Sequence, residues 1–395
     1  MSNTITKKIV FIEHQCIGFE HVDFNALWII SVLKSTKNAD SILIGEESHN
    51  AQVIEKIIEN NFSRLPIIFN YKPSWSKIEH KKFFEEYIFL KKIFNNHVDE
   101  RTQCVVFLSI SRTMIIALKY YLKINNINTI VIAIPHAILN EIEGKSSKRF
   151  WNNLYKVKRG IKISCPNNLK LIALTMPIYL NVIKYSNKLQ WIHIDHPMTI
   201  SSSNYDAFPN ALEISKYQNL TIGVFGSINY DFSRNLSLLK QIKSICPKRI
   251  DIKIIGHISL KNTKNIDLDF ISYYSNIPIS YDEYDKLAKT INLALWLIPP
   301  EKTKFVASNT ILDIFTYRIP VIYKNNELLK YYSSILGEIG FNYQAESEIF
   351  PIIEGILNNN LFDKINLIRH NMKNSSYHFS TETTSQKIAK SIFNL

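Results

Sequence analysis

The sequence predicts an α/β protein with two parallel sheets, each covered by helices on both faces. Short continuous runs of apolar residues alternate with longer segments of helical periodicity, which is typical of buried parallel strands joined by crossover helices. This alternation stops near residue 200 and starts again near residue 220. A chain of 395 residues is long for one domain, so two domains are expected.

The first half of the chain predicts seven strands. Each candidate strand is rich in Ile, Val, Leu or Phe, and each candidate helix has apolar residues spaced three and four apart. The strands are expected at residues 8–14, 41–45, 66–69, 104–108, 129–134, 169–174 and 190–194, and the helices at 24–33, 50–60, 77–96 and 113–123.

The second half repeats the pattern without repeating the sequence. The expected strands are residues 220–226, 250–256, 267–271, 293–298 and 320–323, and the expected helices are 235–244, 282–290 and 384–393. Between the halves, Ser, Asn and Pro occur without any hydrophobic period, which indicates a linker. We therefore expect an N-terminal domain at 1–200, a linker at 201–218, a C-terminal domain at 219–378 and a final segment at 379–395.

Composition restricts the function. The net charge of +13 suits an anionic partner, such as nucleotide phosphates, a lipid-linked phosphate, a membrane surface or nucleic acid. The sequence has neither G-x-G-x-x-G nor a P-loop, which argues against a dehydrogenase or a kinase, and no C-x-x-C pair indicates zinc or redox chemistry. No apolar stretch of about 20 residues occurs, so we expect no transmembrane helix and a cytoplasmic location.

The most informative stretch is the run from Ser308 to Ile322. It predicts a polar turn, a short helix and a strand that begins at a proline. A helix that opens on Ser308, Asn309 and Thr310 offers backbone N–H groups and hydroxyls to an anion. Asp313 follows about one turn later, where its carboxylate can accept hydrogen bonds from a ribose diol. Phosphate and ribose together indicate a nucleotide.

This run resembles the donor-binding helix of GT-B glycosyltransferases. The family pattern is small or polar–Asn–x–x–Leu–Glu/Asp–x–x–x–x–Gly–x–Pro–Val–Ile, and here the matching residues are Leu312, Asp313, Pro320, Val321 and Ile322. Two positions differ from that pattern. Arg318 replaces the usual glycine, and Phe305 stands eight residues before Asp313, where the retaining subgroup has a second glutamate.

The resemblance implies two Rossmann-like domains that face a central cleft, with the helix of 379–395 crossing back to the first domain. It also implies a nucleoside-diphosphate sugar, or a CMP-sugar, as the donor substrate. No bound cofactor and no metal are expected. The missing second glutamate leaves inversion or retention open and favours inversion.

Donor-binding residues are expected at the carboxyl ends of the second set of strands. The resemblance assigns Gly226 and Ser227 to close approach of phosphate, and Asn276 and Ile277 to the nucleobase. Lys302 and Lys304 are candidates for neutralising the diphosphate leaving group. The full set of expected donor residues is Gly226, Ser227, Asn276, Ile277, Lys302, Lys304, Ser308, Asn309, Thr310 and Asp313, with Arg234 as a further phosphate contact.

The loop after the first strand is dense in groups that transfer protons. An inverting transfer requires a general base, and the candidates are His21, Asp23 and Glu20, with Asp23 also suited to orient His21 or to cap the following helix. His136 follows another strand end and is a candidate contact to the acceptor or to phosphate. The alternative for His136 is a hydrogen-bonded structural role.

A basic segment at residues 145–162 contains seven Lys or Arg and no acidic residue. Aromatic residues lie among these charges, a composition that suits an anionic lipid surface or single-stranded nucleic acid. The alternative is a solvated segment with its aromatic side chains packed inward. The glycosyltransferase resemblance favours the inner membrane surface and a polyprenyl-linked acceptor, and we expect no nucleic acid partner.

These observations predict a glycosyltransferase that moves a sugar from a nucleotide sugar to a saccharide or lipid-linked saccharide in bacterial surface-polysaccharide synthesis, as in capsule or O-antigen. Two alternatives remain open at this stage. One is a GT-B sugar-nucleotide epimerase, which needs no acceptor. The other is a non-catalytic GT-B subunit, since Arg318 and the missing glutamate depart from the family pattern.

Overall fold

The computed structural model describes residues 6–36, 38–72, 75–143, 156–164, 166–186, 188–199, 219–226, 228, 231–256, 258, 267–277 and 279–394. The chain packs into two compact units. The first comprises Met1–Thr199, Lys304–Ala307 and Phe379–Leu395, and the second comprises Ile200–Thr303 and Ser308–His378. The expected linker at 201–218 lies outside the described residues.

The first unit is built on a parallel sheet of seven described strands. In spatial order the sheet runs β3-β2-β1-β4-β5-β6-β7, and every described pairing is parallel. The strands are β1 (Lys8–Ile12), β2 (Asp40–Gly45), β3 (Ile67–Asn70), β4 (Thr102–Phe107), β5 (Ile130–Ala133), β6 (Leu169–Ala173) and β7 (Trp191–His193).

Helices connect these strands and cover the sheet. They are α1 (Val22–Ser35), α2 (Glu47–Glu59), α3 (Glu79–His97), α4 (Arg112–Ile124), α5 (Val157–Lys162) and α6 (Met176–Val182). The central strand β1 is wholly apolar from Ile9 to Ile12, and these four side chains have no exposed surface. A strand with both faces buried in this way is what a continuous apolar run predicts.

Two details of the first unit differ from the sequence pattern. The strand β3 was expected to be buried, but it lies at the edge of the sheet, and all four of its residues are exposed. An amphipathic helix has its charged residues on the solvent side, but in α3 Glu86 is fully buried. Its carboxylate accepts a hydrogen bond from Ser111 Oγ at 2.5 Å, and burial raises the pKa of Glu86 to about 7.

The second unit contains a parallel sheet of five described strands, in the order β12-β11-β10-β8-β9. Its strands are β8 (Leu220–Phe225), β9 (Ile250–Ile255), β10 (Leu293–Trp296), β11 (Val321–Lys324) and β12 (Gly340–Tyr343). Its helices are α7 (Phe232–Ile245), α8 (Tyr281–Ala288), α9 (Asn309–Thr316), α10 (Glu327–Leu336), α11 (Ile349–Leu357) and α12 (Phe362–Ser375).

The prediction of a strand at residues 267–271 is wrong. The Asp267 carboxylate accepts a hydrogen bond from the backbone N–H of Asp269, which closes a turn there. Across the described residues of this region, a single bridge pairs Tyr273 with Lys253 of β9. The apolar residues of the segment, Leu268 and Ile271, are nevertheless buried, so they contribute to the core without forming a strand.

Two later segments of the chain belong to the first unit. Lys304–Ala307 brings Phe305 and Ala307 into its hydrophobic core, and Asn181 donates a hydrogen bond to the carbonyl of Lys304 at 3.0 Å. The last helix, α13 (Thr381–Ile388), packs on α1 and continues into a π-helical turn at Ala389–Phe393. Lys387 Nζ bonds the buried carboxylate of Asp195 at 2.6 Å, which fixes α13 in this unit.

Candidate functional site

The topology of the second sheet indicates where a ligand would bind. The chain leaves β8 toward β9 on one side and leaves β10 toward β11 on the other, and β8 and β10 are neighbours. In parallel α/β sheets the crevice at such a reversal, beyond the carboxyl ends of the strands, is the usual ligand site. Gly226 follows β8 directly, and the loop after β10 leads to α9.

Gly226 and Thr310 are brought into direct proximity at this point. Gly226 has φ +78°, and a Cβ added there would lie 3.1 Å from the Thr310 methyl carbon. The hydroxyls of Ser308 and Thr310 are 2.8 Å apart, and Ser308 is the residue before the first turn of α9. The first N–H groups of a helix have no partner inside the helix, so a glycine turn, two hydroxyls and these amides form a cradle for an anion.

Asp313 lies one turn further along α9, three residues from Thr310 and hence on the same side of the helix. Its carboxylate oxygen Oδ2 accepts a hydrogen bond from the Tyr284 hydroxyl of α8 at 2.8 Å. A second bond of the same kind runs the opposite way, from the Tyr317 hydroxyl at the end of α9 to Asp285 of α8 at 3.0 Å. These two bonds fix α9 against α8.

Tyr284 was not among the residues expected from the sequence. Its ring meets Phe225, the last residue of β8, edge-on with centroids 6.2 Å apart. Its partner Asp313 is separated from it by 29 residues, so no local pattern connects the two. Only the packing of α8 against the end of β8 indicates its place.

The other expected donor residues have different surroundings. Asn276 is half-buried, and within the described part of the chain its side-chain oxygen has no hydrogen-bond partner, whereas the neighbouring Ile277 is exposed. Lys302 lies exposed in a short helical turn after β10, and Asn309 is the first residue of α9. Ser227 lies outside the described residues.

Two basic residues are held by carboxylates. Arg234 bonds Glu346 at 2.8 Å and lies 3.6 Å from Asp231, all in the second unit. Lys304 belongs to the first unit, where its ammonium group pairs with Glu143. The expected phosphate roles of both residues therefore stay predictions, and each would require exchange of an existing ion pair.

The sheet of the first unit reverses between β1 and β4, and a buried polar network occupies the ends of these strands. The Glu13 carboxylate accepts hydrogen bonds from Ser109 Oγ, the Asn25 amide and two backbone N–H groups, those of Gln15 and Cys16. Burial alone would raise the pKa of Glu13, but the Ser109 bond, the charge of His14 and the two N–H groups together lower it.

His49 extends this network to the loop before α1. It is fully buried, with Nε2 2.9 Å from the Asn25 amide and Nδ1 2.9 Å from the carbonyl oxygen of Gly18. The network therefore fixes the loop that ends at His21. Sequence reasoning identified the loop as rich in proton-transfer groups but did not identify Asn25, His49 or Ser109, which join it only through tertiary packing.

His21 lies at the start of α1 and next to His136. The rings of His21 and His136 meet edge-on with centroids 5.4 Å apart, and His136 stacks on Phe24. The His196 ring contacts Phe24 from a third element, with centroids 4.7 Å apart. The structure thus brings two residues expected from separate parts of the sequence, His21 and His136, to one surface of the first unit.

Both of these histidines are neutral near pH 7. The His21 side chain reaches the surface, yet partial desolvation lowers its pKa, an effect that the charges of Glu13 and Glu20 oppose. Burial, together with the neighbouring imidazoles of His21 and His196, lowers the pKa of His136 to about 3. A neutral imidazole has a lone pair that can accept a proton.

The two acidic candidates, Asp23 and Glu20, have partners other than His21. Asp23 pairs with Lys56 of α2 at 3.1 Å, and Glu20 accepts a hydrogen bond from the backbone N–H of Ile17 within the loop. Within the described part of the chain, neither acid forms a hydrogen bond to His21. The roles expected for His21, Asp23 and Glu20 in proton transfer therefore stay predictions, and His21 is the one of the three whose side chain has no described ion pair or hydrogen bond.

The described residues contain no group of three or more His, Cys, Asp or Glu side chains arranged to hold a metal. None of the helices in this part of the chain is both long and apolar enough to cross a bilayer. Of the basic segment, residues 144–155 lie outside the described residues, and α5 forms the rest. Its Lys158, Arg159 and Lys162 are exposed, whereas Val157, Gly160 and Ile161 are buried against the unit.

The sequence matches no protein-family model and no curated protein. Solved structures do share its fold. The Anabaena protein HepE in complex with UDP is 14% identical with a TM-score of 0.64, and the match covers 98% of this chain and 100% of that one. The lipopolysaccharide outer core galactosyltransferase WaaB in its apo form is 11% identical with a TM-score of 0.62, over 98% and 99% of the two chains.

An epimerase also shares the fold. The UDP-GlcNAc 2-epimerase from Neisseria meningitidis, bound to UDP-GlcNAc, is 12% identical with a TM-score of 0.58, and the match covers 98% of this chain and 100% of that one. Together with the two parallel sheets, these likenesses show that the chain has the GT-B fold. The expected fold class is confirmed in this respect.

Proposed function

We propose that this protein, which has the GT-B fold, is a glycosyltransferase that uses a nucleotide sugar as its donor. The observation that carries the proposal is the cradle at the strand reversal of the second unit, formed by Gly226, Ser308 and Thr310 with Asp313 one turn away. An anion site next to a carboxylate suits the diphosphate and the ribose of a nucleotide. HepE, a structure of the same fold, has been solved with UDP and with UDP-glucose.

In this proposal the diphosphate binds at the start of α9 and the ribose bonds Asp313. Lys302, exposed in the loop before α9, stabilises the negative charge that develops on the leaving diphosphate. Asn276, whose side-chain oxygen lacks a described partner, is the candidate contact to the base. These observations do not distinguish one nucleobase from another, so the first experiment compares nucleotides with different nucleobases.

On the acceptor side, His21 is the proposed general base. The acceptor oxygen forms a bond to the anomeric carbon, the bond from that carbon to the phosphate oxygen breaks, and the diphosphate leaves with the electron pair. The hydroxyl proton passes to the neutral imidazole of His21. His136 and Phe24, which pack beside His21, would hold the ring in its orientation.

We further propose a saccharide or polyprenyl-linked saccharide as acceptor, in the synthesis of a bacterial surface polysaccharide. Support comes from the exposed basic side of α5, which suits an anionic membrane surface or a lipid-linked phosphate. The galactosyltransferase WaaB, of the same fold, acts by its name on the outer core of lipopolysaccharide.

Calorimetric titration with UDP, GDP, CMP, dTDP and ADP tests the donor site. We expect the wild type to bind one of them selectively and Asp313→Ala to weaken that binding about 10- to 100-fold, because hydrogen bonds to a charged group contribute about 1.5–3 kcal/mol. Asp363→Ala, which removes an exposed carboxylate from the first turn of α12, is the matched control and should bind as the wild type does. Unchanged affinity in Asp313→Ala would contradict the assignment.

The epimerase of the same fold gives a second candidate reaction. Incubation of the protein with the preferred nucleotide sugar alone distinguishes the two. A transferase should leave the sugar configuration unchanged and release the nucleotide rapidly only when an acceptor is added, whereas an epimerase should form a new epimer without any acceptor. Nucleotide binding with neither reaction would favour the non-catalytic alternative.

A further inference from the structure

Among the described strands, none pairs with the outer side of β3, which forms one edge of the seven-stranded sheet. The backbone N–H of Tyr71, directly after β3, donates to the carbonyl of Gly45 in β2 at 2.7 Å. Successive residues of a strand direct their backbone N–H and C=O groups to opposite sides, so every second residue counted back from Tyr71 faces β2 as well. The residues between them, Ile68 and Asn70, present both backbone groups outward.

The side chains of this edge are apolar and exposed on both faces of the sheet. Ile67 is 66% exposed, Ile68 40% and Phe69 42%. Because side chains alternate between the faces, Ile68 lies on the face opposite to the other two. A helix or loop docked on one face would cover only one of these sets. A strand added beside β3 covers both sets and pairs the outward backbone groups, so this edge fits strand addition.

The edge lacks the features that usually prevent strand addition. Natural edge strands are protected by charged side chains, by proline or by a bulge. The seven residues 65–71 carry no charge, and β3 pairs with β2 in continuous register. Pro66 lies before β3, so it limits the length of any further pairing without interrupting β3 itself. Two copies of a chain with a net charge of +13 can therefore approach here without local repulsion.

We propose that a second copy of this chain adds to β3 through its own β3, so that the two sheets join antiparallel about a twofold axis at Phe69. In this register Ile68 of each copy is opposite Asn70 of the other, and each such pair exchanges two backbone hydrogen bonds. The two Phe69 side chains face each other across the axis. Each copy contributes its β3 edge once, so the assembly closes at two chains. This inference does not depend on the proposed catalytic function.

Edge pairing of this kind forms a weak dimer. A standard interface buries about 800 Å² per partner, and an edge of four residues buries less. Sedimentation equilibrium from roughly 1 to 300 µM should therefore show the average mass rising from one chain toward two, as for a micromolar dissociation constant. Salt at about 0.15 M screens the long-range repulsion between the basic copies. Deuterium exchange at the amides of Ile68 and Asn70 should slow over the same concentration range.

A proline at residue 68 tests the backbone pairing. Ile68→Pro removes one outward N–H per copy and leaves the bonds to β2 in place, since proline is tolerated on an edge strand whose N–H faces solvent. Ile68→Ala keeps that N–H and is the matched control for loss of the side chain. Two hydrogen bonds are lost per dimer at about fivefold each, so Ile68→Pro should dimerise about 25-fold more weakly than Ile68→Ala.

A charge at the axis gives a second, independent test. Phe69→Lys places two positive charges opposite each other and should weaken dimerisation at least tenfold. Leu367→Lys, at a side chain 52% exposed on α12 of the second unit, adds the same charge elsewhere and should leave dimerisation unchanged. Thermal unfolding of each variant checks that it folds.

Three results would overturn the inference. A wild type that sediments as one chain at every concentration has no such interface. A dimer that Phe69→Lys leaves intact is formed by another surface. Equal weakening in Ile68→Pro and Ile68→Ala would mean that side chains alone make the contact, without pairing of the two strands.

Discussion

At the scale of single residues, His21 combines exposure with a lowered pKa. It occupies a left-handed backbone conformation, φ 54°, at the point where the loop fixed by Glu13 and His49 enters α1. Because its pKa lies below the usual value of 6.5, the imidazole remains neutral at pH values where an ordinary histidine would already be half protonated. A base must be deprotonated to act, so this shift extends its working range toward acid.

The pH dependence of kcat/KM tests this role. We expect a plateau around pH 7 and an acidic fall whose midpoint lies below 6.5, and we expect His21→Gln to lose about 100- to 10,000-fold in rate with little change in donor affinity. Asp23→Asn serves as the comparison, since Asp23 pairs with Lys56, and it should retain most of the rate. A midpoint above 7, or a His21→Gln enzyme of normal rate, would refute His21 as the base.

Arg318 differs from the family pattern in residue type, but its backbone has the conformation that the pattern requires. The family pattern has glycine at this position, and here the arginine adopts φ 52°, the left-handed conformation that glycine takes easily. The strain in such a residue is about 1–2 kcal/mol, which the surrounding turn sustains. The backbone required between α9 and β11 is thus present without glycine, and this weakens the argument from sequence for a decayed site.

Other residues of the candidate sites were beyond sequence reasoning for a physical reason. Thr310 and Asp313 lie within one short segment, where helical spacing alone predicts that they share a side. Tyr284 and His49 meet their partners only after separate elements have packed. A single sequence contains the residue types but not these distances.

At the scale of elements, the close approach of Gly226 to Thr310 joins the end of β8 to the start of α9. A Cβ at residue 226 would have to displace the Thr310 methyl group, and φ +78° would be strained for any other residue. The same atom would stand in the cradle proposed for phosphate. Substitution here should therefore affect both stability and binding.

Gly226→Ala is expected to lower the free energy of unfolding by about 1 kcal/mol and nucleotide affinity at least tenfold. Gly337→Ala is a well-matched control, because Gly337 also has φ +78° and a Cβ there would meet Asn371 at 3.0 Å. It should cost similar stability and leave nucleotide affinity unchanged. Calorimetry measures the affinities, and thermal unfolding measures the stabilities. If both variants lose affinity equally, the loss of binding in Gly226→Ala results from lower stability and not from a blocked phosphate site.

The order of elements was largely predictable, but their exposure was not. Continuous apolar runs correctly identified the buried strands, because burial on both faces demands such runs. The run at Ile67–Phe69 has the same composition, yet it forms an exposed edge strand, since its place depends on which strands lie beside it. The turn at Asp267 likewise depends on one side-chain hydrogen bond that competes with strand pairing.

At the scale of the whole molecule, α5 presents part of the basic charge of this chain, whose net charge is +13, on one exposed surface. Gly160 lies so close to α4 that a Cβ there would meet Ile115 at 2.8 Å, and the buried Lys119 donates hydrogen bonds to the carbonyls of Ile161 and Ile163. The inner side of α5 is thereby fixed, and its lysine and arginine side chains are directed outward. A rigid basic surface attracts an anionic membrane more effectively than the same charges spread over the molecule.

Cosedimentation with vesicles tests this surface. Vesicles of phosphatidylcholine with phosphatidylglycerol should bind the wild type, and those of phosphatidylcholine alone should not. The combined variant Lys156→Ala, Lys158→Ala and Arg159→Ala should bind roughly a hundredfold more weakly, because each basic residue near the surface contributes about 1 kcal/mol. Higher ionic strength should weaken wild-type binding as well, since salt screens exposed charges.

The control variant must remove the same number of positive charges from another part of the surface. Lys240, Lys289 and Lys330 of the second unit serve this purpose, and each is paired with an acidic residue. If their combined replacement by alanine weakens binding equally, attraction follows net charge, and α5 has no special part in it.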